Sequence, residues 1–144
     1  MAMNLTEKKC VPCKEGIPPL KKEKIEKYLK EVEGWEAKKG KLISRTFSFK
    51  SFKEAINFVN QVAGIAEQEQ HHPDIHIRYK KVTLELTTHA IAGLSENDFI
   101  MASKIDAMHN WEENVQKVVV EKLFSFKLLV VVVIVLLIIL LLKT

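Results

Sequence analysis

The sequence predicts an α+β fold, with helices covering one face of a four-stranded antiparallel sheet. Three stretches repeat apolar residues at the three- and four-residue spacing of an amphipathic helix. Two pairs of shorter stretches are bounded by turn residues and indicate β-hairpins. In chain order the elements are α-β-β-α-β-β-α. A helical layer on one face of the sheet then buries the apolar sides of both helices and strands.

Length and charge limit the organisation of the chain. The 144 residues suit one domain with one core. We expect a loose, polar N-terminal arm over residues 1–20, a globular domain over 21–122 and a hydrophobic C-terminal tail over 123–144. The formal charge of +4 is modest, and glutamates interleave with the lysines of the first helix. This pattern favours a solvated helix face over a nucleic-acid-binding patch.

The first helix and the first hairpin follow the arm. Residues 21–33 carry an apolar stripe at helical spacing, and Gly34 ends the helix. Residues 35–38 and 42–49 then form two strands, with Gly40 in the turn between them. The alternation of apolar and polar residues in the second strand is imperfect. The hairpin is therefore predicted mainly from its turn residues.

A capping box marks the start of the second helix. The hydroxyl of Ser51 can accept from the amide of Glu54, while the Glu54 carboxylate reaches back to the chain before it. Pro73 disfavours helical geometry at His72, so the helix should end near there. Its predicted apolar stripe consists of Phe52, Ala55, Ile56, Val59, Val62, Ala63 and Ala66.

The second hairpin has one apolar and one polar face. Residues 74–79 and 82–88 each alternate with a period of two, and two lysines separate them in a tight turn. The last helix follows, with Ser95 as its N-cap and Asp98 three residues later. This helix continues beyond Trp111.

Strand pairing in this hairpin gathers three histidines. If the two strands pair antiparallel about the lysine turn, Asp74 lies near Thr87. The corner that contains His71 and His72 then lies beside His89. Period-two geometry places His89 on the polar face of its strand or just past the strand's end.

Two carboxylates could support these imidazoles, and three interpretations are open. Glu67 lies one helical turn before His71, and Asp98 lies in the first turn of the last helix. The histidines could be solvated corner residues, with Asp98 acting only as a cap. They could form a three-histidine metal site, although side chains of adjacent residues diverge. They could also transfer protons without a metal, since imidazole titrates near neutrality.

The spacing of these residues resembles the signature of pterin-4a-carbinolamine dehydratases. Glu67 is followed after three residues by His71-His72-Pro73, after five more by Tyr79, after nine by His89 and after eight by Asp98. The stretch THAIAGLSENDFIMASKID over residues 88–106 is also similar to that family, as is the Gly34-Trp35 pair. The resemblance covers roughly residues 20–111 and implies the same α+β fold.

The resemblance implies a reaction and the residues that perform it. Members of the family eliminate water from a tetrahydropterin that carries a hydroxyl at C4a, and the product is a quinonoid dihydropterin. No metal or organic cofactor is implied. The resemblance makes His71, His72 and His89 the active-site residues, and we expect His71 and His89 to be the proton-transfer pair. By the same resemblance, Glu67 and Asp98 orient the site, and Pro73, Thr88 and Trp35 contact the substrate.

Partners and location follow in part from the resemblance. The family assembles into dimers and tetramers, so a homodimer or homotetramer is expected. Some members also act as dimerisation partners of a transcription factor, and a non-catalytic interaction module is therefore the alternative function. The opening residues lack the apolar segment of a signal peptide, which favours the reducing cytoplasm.

Two segments depart from the family pattern. Cys10 and Cys13 offer only two of the four ligands of a zinc site, so zinc binding would need a second chain. They also lie outside the βαβ unit of a thioredoxin-like redox motif. An inert pair is therefore expected. The tail contains 15 consecutive apolar residues from Leu128 to Leu142. It could be a membrane anchor, a segment buried in an oligomer, or sequence foreign to the domain, and the anchor is favoured although the run is short for a bilayer.

Overall fold

The structure is a computed structural model. It describes the backbone of residues 4–12 and 18–141, and the side chains of these residues except 112, 113 and 125–141. Cys13 and the end of the tail lie outside the described residues. The chain forms two compact units, Met1–Met108 and His109–Thr144. The first contains the sheet, and the described part of the second consists of helix alone.

The element order is α-β-β-α-β-β-α, and the predicted α+β class is confirmed. The four strands form one antiparallel sheet in the order β1-β2-β4-β3. Short 3-10 turns lie at Leu5–Glu7 and His89–Ile91. The bounds are α1 Lys22–Leu29, β1 Glu36–Lys38, β2 Leu42–Ser48, α2 Phe52–Glu69, β3 Asp74–Arg78, β4 Lys81–Leu86 and α3 Glu96–Leu141.

The core lies between the sheet and the helices. Along β4, Val82, Leu84 and Leu86 are fully buried, whereas the residues that alternate with them are partly or fully exposed. This is the period-two pattern of a sheet with one apolar face. From α3 the core receives Phe99, Ile100, Met101, Ala102 and Ile105.

The buried stripe of α2 differs from the predicted one. Phe58 belongs to the core, with its ring 4.7 Å from that of Phe47, although the predicted stripe omitted it. Phe52 is half-exposed, although the stripe included it. The helix begins as predicted, because the Ser51 hydroxyl accepts from the Glu54 amide at 3.2 Å. The observed stripe is Ala55, Phe58, Val62 and Ala66.

The first helix is shorter than predicted. It ends at Leu29 rather than near residue 33, because the amide of Lys30 bonds back to the carbonyls of Lys27 and Tyr28 in a tight final turn. Gly34, at φ +74°, then redirects the chain. The first hairpin closes over Lys39–Lys41, and its strands agree with the prediction to within one residue at each end.

The register of the second hairpin is two residues away from the predicted one. Asp74 pairs with Glu85 instead of lying near Thr87. The reason is the turn, which occupies Tyr79 and Lys80, with Tyr79 at φ +54°. A turn shifted by one residue moves the strand register by two. Continuing the observed register past the end of β3 brings residue 71 opposite residue 88.

The described part of the N-terminal arm is packed against the domain, although a loose arm was predicted. Leu5 is 1% exposed and belongs to the core. Side chains and backbone groups of residues 6–11 form hydrogen bonds with α2 and α3. A single leucine within a polar stretch has no periodic partner, so hydrophobic periodicity could not reveal this contact.

The prediction for the tail concerns side chains that the structure does not describe. Within the described residues, no helix is long and apolar enough to cross a bilayer. The side chains of residues 125–144, on which the membrane contact predicted for 123–144 depends, are not among them. The structure thus gives that contact no support.

Candidate active site

Asp98 is the centre of a buried polar cluster at the start of α3. Its side chain is fully buried, and Oδ2 accepts from the Ser95 amide at 2.7 Å and from the Thr88 hydroxyl at 2.9 Å. The Ser95 hydroxyl in turn accepts from the Asn97 amide at 3.2 Å. Ser95 therefore caps α3 as predicted, and Asp98 reaches back to its amide.

His71 contacts the other oxygen of the same carboxylate. Its Nε2 lies 2.7 Å from Asp98 Oδ1, and the side chain is buried. The preceding residue, Gln70, caps α2 in the left-handed conformation at φ +51°, which turns the chain out of the helix toward α3. A carboxylate can only accept, so Nε2 of His71 carries the proton and Nδ1 carries the lone pair of the neutral ring.

Glu67 supports His72 rather than His71. Its Oε1 lies 2.8 Å from His72 Nε2, and both side chains are exposed. The predicted contact with His71 is therefore wrong, because the helix ends at Glu69 and the left-handed Gln70 swings His71 away from the face that carries Glu67. The adjacent histidines thus contact different carboxylates.

Thr88 connects the second hairpin to the site. Its hydroxyl lies 2.7 Å from the Ser95 hydroxyl and donates to Asp98. The Thr88 amide donates to the Gly93 carbonyl at 2.9 Å, which closes a small loop around the 3-10 turn His89–Ile91. His89 follows Thr88 directly and is exposed, just past the end of β4. The Cα of His89 is about 3.8 Å from that of Thr88. Thr88 and His71 bond to the same carboxylate, that of Asp98.

Gly93 permits close packing of this loop on the arm. A Cβ at position 93 would lie 2.8 Å from Cβ of Pro19, closer than side-chain carbons approach one another. The Leu20 amide donates to the Leu94 carbonyl at 2.8 Å beside this contact. The loop that presents His89 is therefore fixed from both sides, by Thr88 and by Pro19.

Trp35 lies in a second polar cluster. It is buried, and its indole N–H donates to Asp106 Oδ1 at 2.9 Å. Arg45 donates to the same oxygen at 2.7 Å and lies over the Phe47 ring at 4.5 Å. The structure does not join Trp35 to the His71–Asp98 cluster, whereas Pro73 is half-buried directly after the two histidines. The substrate contacts predicted for these two residues and Thr88 remain predictions.

Burial affects the titration of Asp106. It raises the pKa of this carboxyl group to about 6, while the hydrogen bond from Trp35 and the charge of Arg45 act in the opposite direction. Sequence reasoning missed both Arg45 and Asp106 because they lie 61 residues apart and no local pattern connects them. Ser95 was recognised as a cap, but its link to Thr88 was missed.

The hydrogen bond to Asp98 determines how the His71 ring is held. Among the described residues, no group of three His, Cys, Asp or Glu side chains could hold a metal ion together. His71 is instead anchored by one nitrogen to a buried carboxylate. That arrangement fixes the tautomer and the orientation of the His71 imidazole.

Comparison with known proteins identifies the family. A family model described as pterin 4 alpha carbinolamine dehydratase matches residues 18–108. The chain belongs to this family. The dehydratase region therefore runs from just before α1 into α3, which agrees with the extent of the resemblance found in the sequence. The family is one of hydro-lyases, so the chain is an enzyme of that class.

Individual relatives agree with this assignment. A protein of Nitrosomonas eutropha named after the same dehydratase is 51% identical over 106 residues, which are 73% of this chain and 93% of that protein. One from Rubrobacter xylanophilus is 44% identical over 104 residues, 72% of this chain and 97% of the relative. A crystal structure described as a transcriptional coactivator/pterin dehydratase from Brucella melitensis has a TM-score of 0.59 and 36% identity. It covers 62% of this chain, and the match spans 96% of its own.

Proposed function

We propose that this member of the dehydratase family eliminates water from a 4a-hydroxytetrahydrobiopterin, with histidines as acid and base. The product is the quinonoid dihydropterin, which a reductase returns to tetrahydrobiopterin. One proton leaves a ring nitrogen, the C4a–O bond breaks, and the hydroxyl leaves as water after accepting a proton. The reaction is redox-neutral, so proton transfer is all that the protein must supply.

The observation that carries this proposal is the position of His71. Its Nε2 bonds to a buried carboxylate that also accepts from the residue directly before His89. We assign His71 and His89 as the proton-transfer pair because both are linked to Asp98. His71 bonds to its carboxylate, and His89 directly follows Thr88, which donates to the same carboxylate. His72 is exposed and bonded to Glu67, which suits a contact with substrate at the mouth of the site.

A dehydration assay tests the proposal directly. The carbinolamine is generated fresh, and its decay is followed spectroscopically with and without the protein. We expect turnover well above the spontaneous rate, unchanged by a chelator. Turnover lost on chelation would indicate metal chemistry instead, and no acceleration at all would remove the dehydratase assignment.

A second function has one supporting observation. The solved Brucella protein is described as a transcriptional coactivator as well as a dehydratase. An interaction module would not need the buried His71–Asp98 pair, so we rank this function second. Binding that survives replacement of His71 and His89 while dehydration is lost would show that both functions coexist.

Homo-oligomerisation is the expected assembly. Strand β3 lies at the edge of the sheet, and Ile77 and Tyr79 at its end are exposed. The Tyr79 ring stacks against the half-exposed ring of Phe52 at 6.4 Å. Apolar groups on an uncovered edge strand favour pairing with another chain. Sedimentation velocity should therefore detect a dimer or tetramer, and Tyr79→Lys should shift it toward the monomer.

A further inference from the structure

The N-terminal arm reaches the two helix ends that carry the site. Its 3-10 turn buries Leu5, and the Thr6 hydroxyl lies 2.6 Å from the Ser103 hydroxyl of α3. Polar chain termini are usually poorly ordered unless they are tied down. The segment that follows, residues 8–11, is here called the brace, and Lys8 begins it by donating to Glu96 Oε1 at 2.6 Å.

Cys10 bonds to both helices at once. Its amide donates to Glu69 Oε2 at 2.8 Å, at the last residue of α2. Its thiol donates to the Asn97 carbonyl at 3.7 Å, in the first turn of α3. Burial, followed by the charge of Glu69, raises the pKa of the thiol to about 12. The thiol is therefore a hydrogen-bond donor at neutral pH and not a nucleophile.

Asn97 grips the brace at two points. Its Oδ1 accepts from the Val11 amide at 3.1 Å, and its Nδ2 donates to the Val11 carbonyl at 2.7 Å. The side chain is 4% exposed. An amide side chain that pairs with both backbone groups of one residue fixes position and orientation, as a rung of a β-ladder does. Asn97 directly precedes Asp98.

Glu69 completes the connection between the helices. It forms an ion pair with Lys104 of α3 at 3.0 Å, in addition to accepting from Cys10. Burial alone would raise the pKa of Glu69, but the Cys10 amide and Lys104 together lower it, so the group is a carboxylate at neutral pH. Glu69 lies two residues before His71. The brace thus contacts both chain segments immediately before the two partners of the His71–Asp98 hydrogen bond.

We infer that the brace is a positioning element of the active site: through its contacts with Glu69 and Asn97 it holds the His71–Asp98 pair in register. Its catalytic consequence rests on the proposed function, whereas its effect on the geometry of the pair does not. A hydrogen bond of 2.7 Å between groups on two different elements tolerates little relative movement. Displacements of about 1 Å around reacting groups can change rates by about a hundredfold.

Two substitutions at position 97 test this role. Asn97→Leu keeps the approximate volume but removes both contacts with Val11. Asn97→Asp keeps the acceptor for the Val11 amide and loses the donor to its carbonyl, and it remains informative if the leucine variant fails to fold. Thr6→Val is the matched control, because it removes a hydrogen bond of the same arm to α3 at Ser103, outside the brace.

The readout that decides the inference is the His71 ring itself. Nitrogen-15 NMR of the imidazole reports which nitrogen is protonated and how strongly Nε2–H is hydrogen bonded. We expect Asn97→Leu to move the His71 Nε2 signal and to lower kcat about tenfold with KM within about twofold. Asn97→Asp should change the His71 Nε2 signal and kcat in the same direction but by less. Thr6→Val should leave the His71 spectrum as in the wild type.

The outcomes separate the two proposals. A folded Asn97→Leu protein with an unchanged His71 spectrum and unchanged kcat would overturn the positioning role. If Thr6→Val changed the His71 spectrum as much as Asn97→Leu does, the brace would contribute only general packing. That result would also overturn the positioning role. If the wild-type protein lacks dehydratase activity, the proposed function fails, and the His71 spectra still decide whether the brace positions the pair.

Discussion

Two carboxylates on α3, Asp98 and Asp106, are both buried but have partners of different chemistry. Asp98 accepts from an imidazole, a hydroxyl and a backbone amide. Asp106, about 12 Å further along the helix, accepts from a guanidinium and an indole. Only the first set includes an imidazole, whose second nitrogen can accept a hydrogen bond in the neutral ring, whereas arginine and tryptophan offer only donors. Residue type and burial therefore do not distinguish the two clusters, whereas the identity of the partners does.

The largest effect is expected at the exposed histidine beside the Asp98 cluster. His89→Ala should lower kcat by a factor of about 10²–10⁴, the range of a lost general acid or base. Because His89 is exposed, the melting temperature should stay close to that of the wild type. Steady-state kinetics and thermal unfolding check this pair of outcomes, and full activity in the variant would remove His89 from the mechanism.

A matched pair of substitutions tests the comparison itself. Asp98→Asn should lower kcat by about a hundredfold, since an amide cannot accept all three hydrogen bonds and no longer fixes the His71 tautomer. Asp106→Asn should leave kcat of the folded protein nearly unchanged, because its partners Arg45 and Trp35 belong to the other cluster. If kcat fell equally in Asp98→Asn and Asp106→Asn, the partners of the two carboxylates would not distinguish the clusters in catalysis.

The pH dependence of stability should depend on Asp106. Its pKa is raised to about 6 in the folded state from an ordinary value of 3.8. The native protein therefore binds more protons between these values. The resulting stabilisation is fully present below pH 3.8 and is lost as the pH rises through about 6. Urea unfolding from pH 4 to 7 should show this decline in the wild type and not in Asp106→Asn, and parallel curves would contradict it.

The smallest effect is expected at the solvated hydrogen bond between Glu67 and His72. Glu67→Gln should change the free energy of unfolding by at most about 0.5 kcal/mol, because Glu67 and His72 are both exposed. Substrate affinity is the sharper measurement. KM should rise a few-fold while kcat is nearly unchanged, and a large fall in kcat would place His72 in proton transfer.

Local patterns predicted the parts of this structure that local forces determine. The element order and the helix caps at Ser51 and Ser95 follow from spacings of three and four residues within one segment. The hairpin register depended on a turn whose left-handed residue is Tyr79, a type that turn statistics do not favour there. A one-residue error in that turn displaced every cross-strand neighbour.

Contacts between distant segments were out of reach. Arg45 and Asp106 meet only because the sheet and α3 pack together, and Leu5 enters the core without any neighbouring apolar residue. The His71–Asp98 contact was approached through the family resemblance and through strand pairing, but the partner of Glu67 was not, because the left-handed conformation of Gln70 leaves no signature in the sequence. Tertiary contacts select among arrangements that local propensity leaves equivalent.

The double duty of Asp98 has a consequence for protein engineering. One carboxylate caps a helix and also bonds to the imidazole beside it, so the start of α3 and the setting of His71 cannot be altered separately at that position. Efforts to redirect this scaffold to other eliminations should therefore keep residues 95 and 98 as they are and vary the exposed residues 67, 72 and 89.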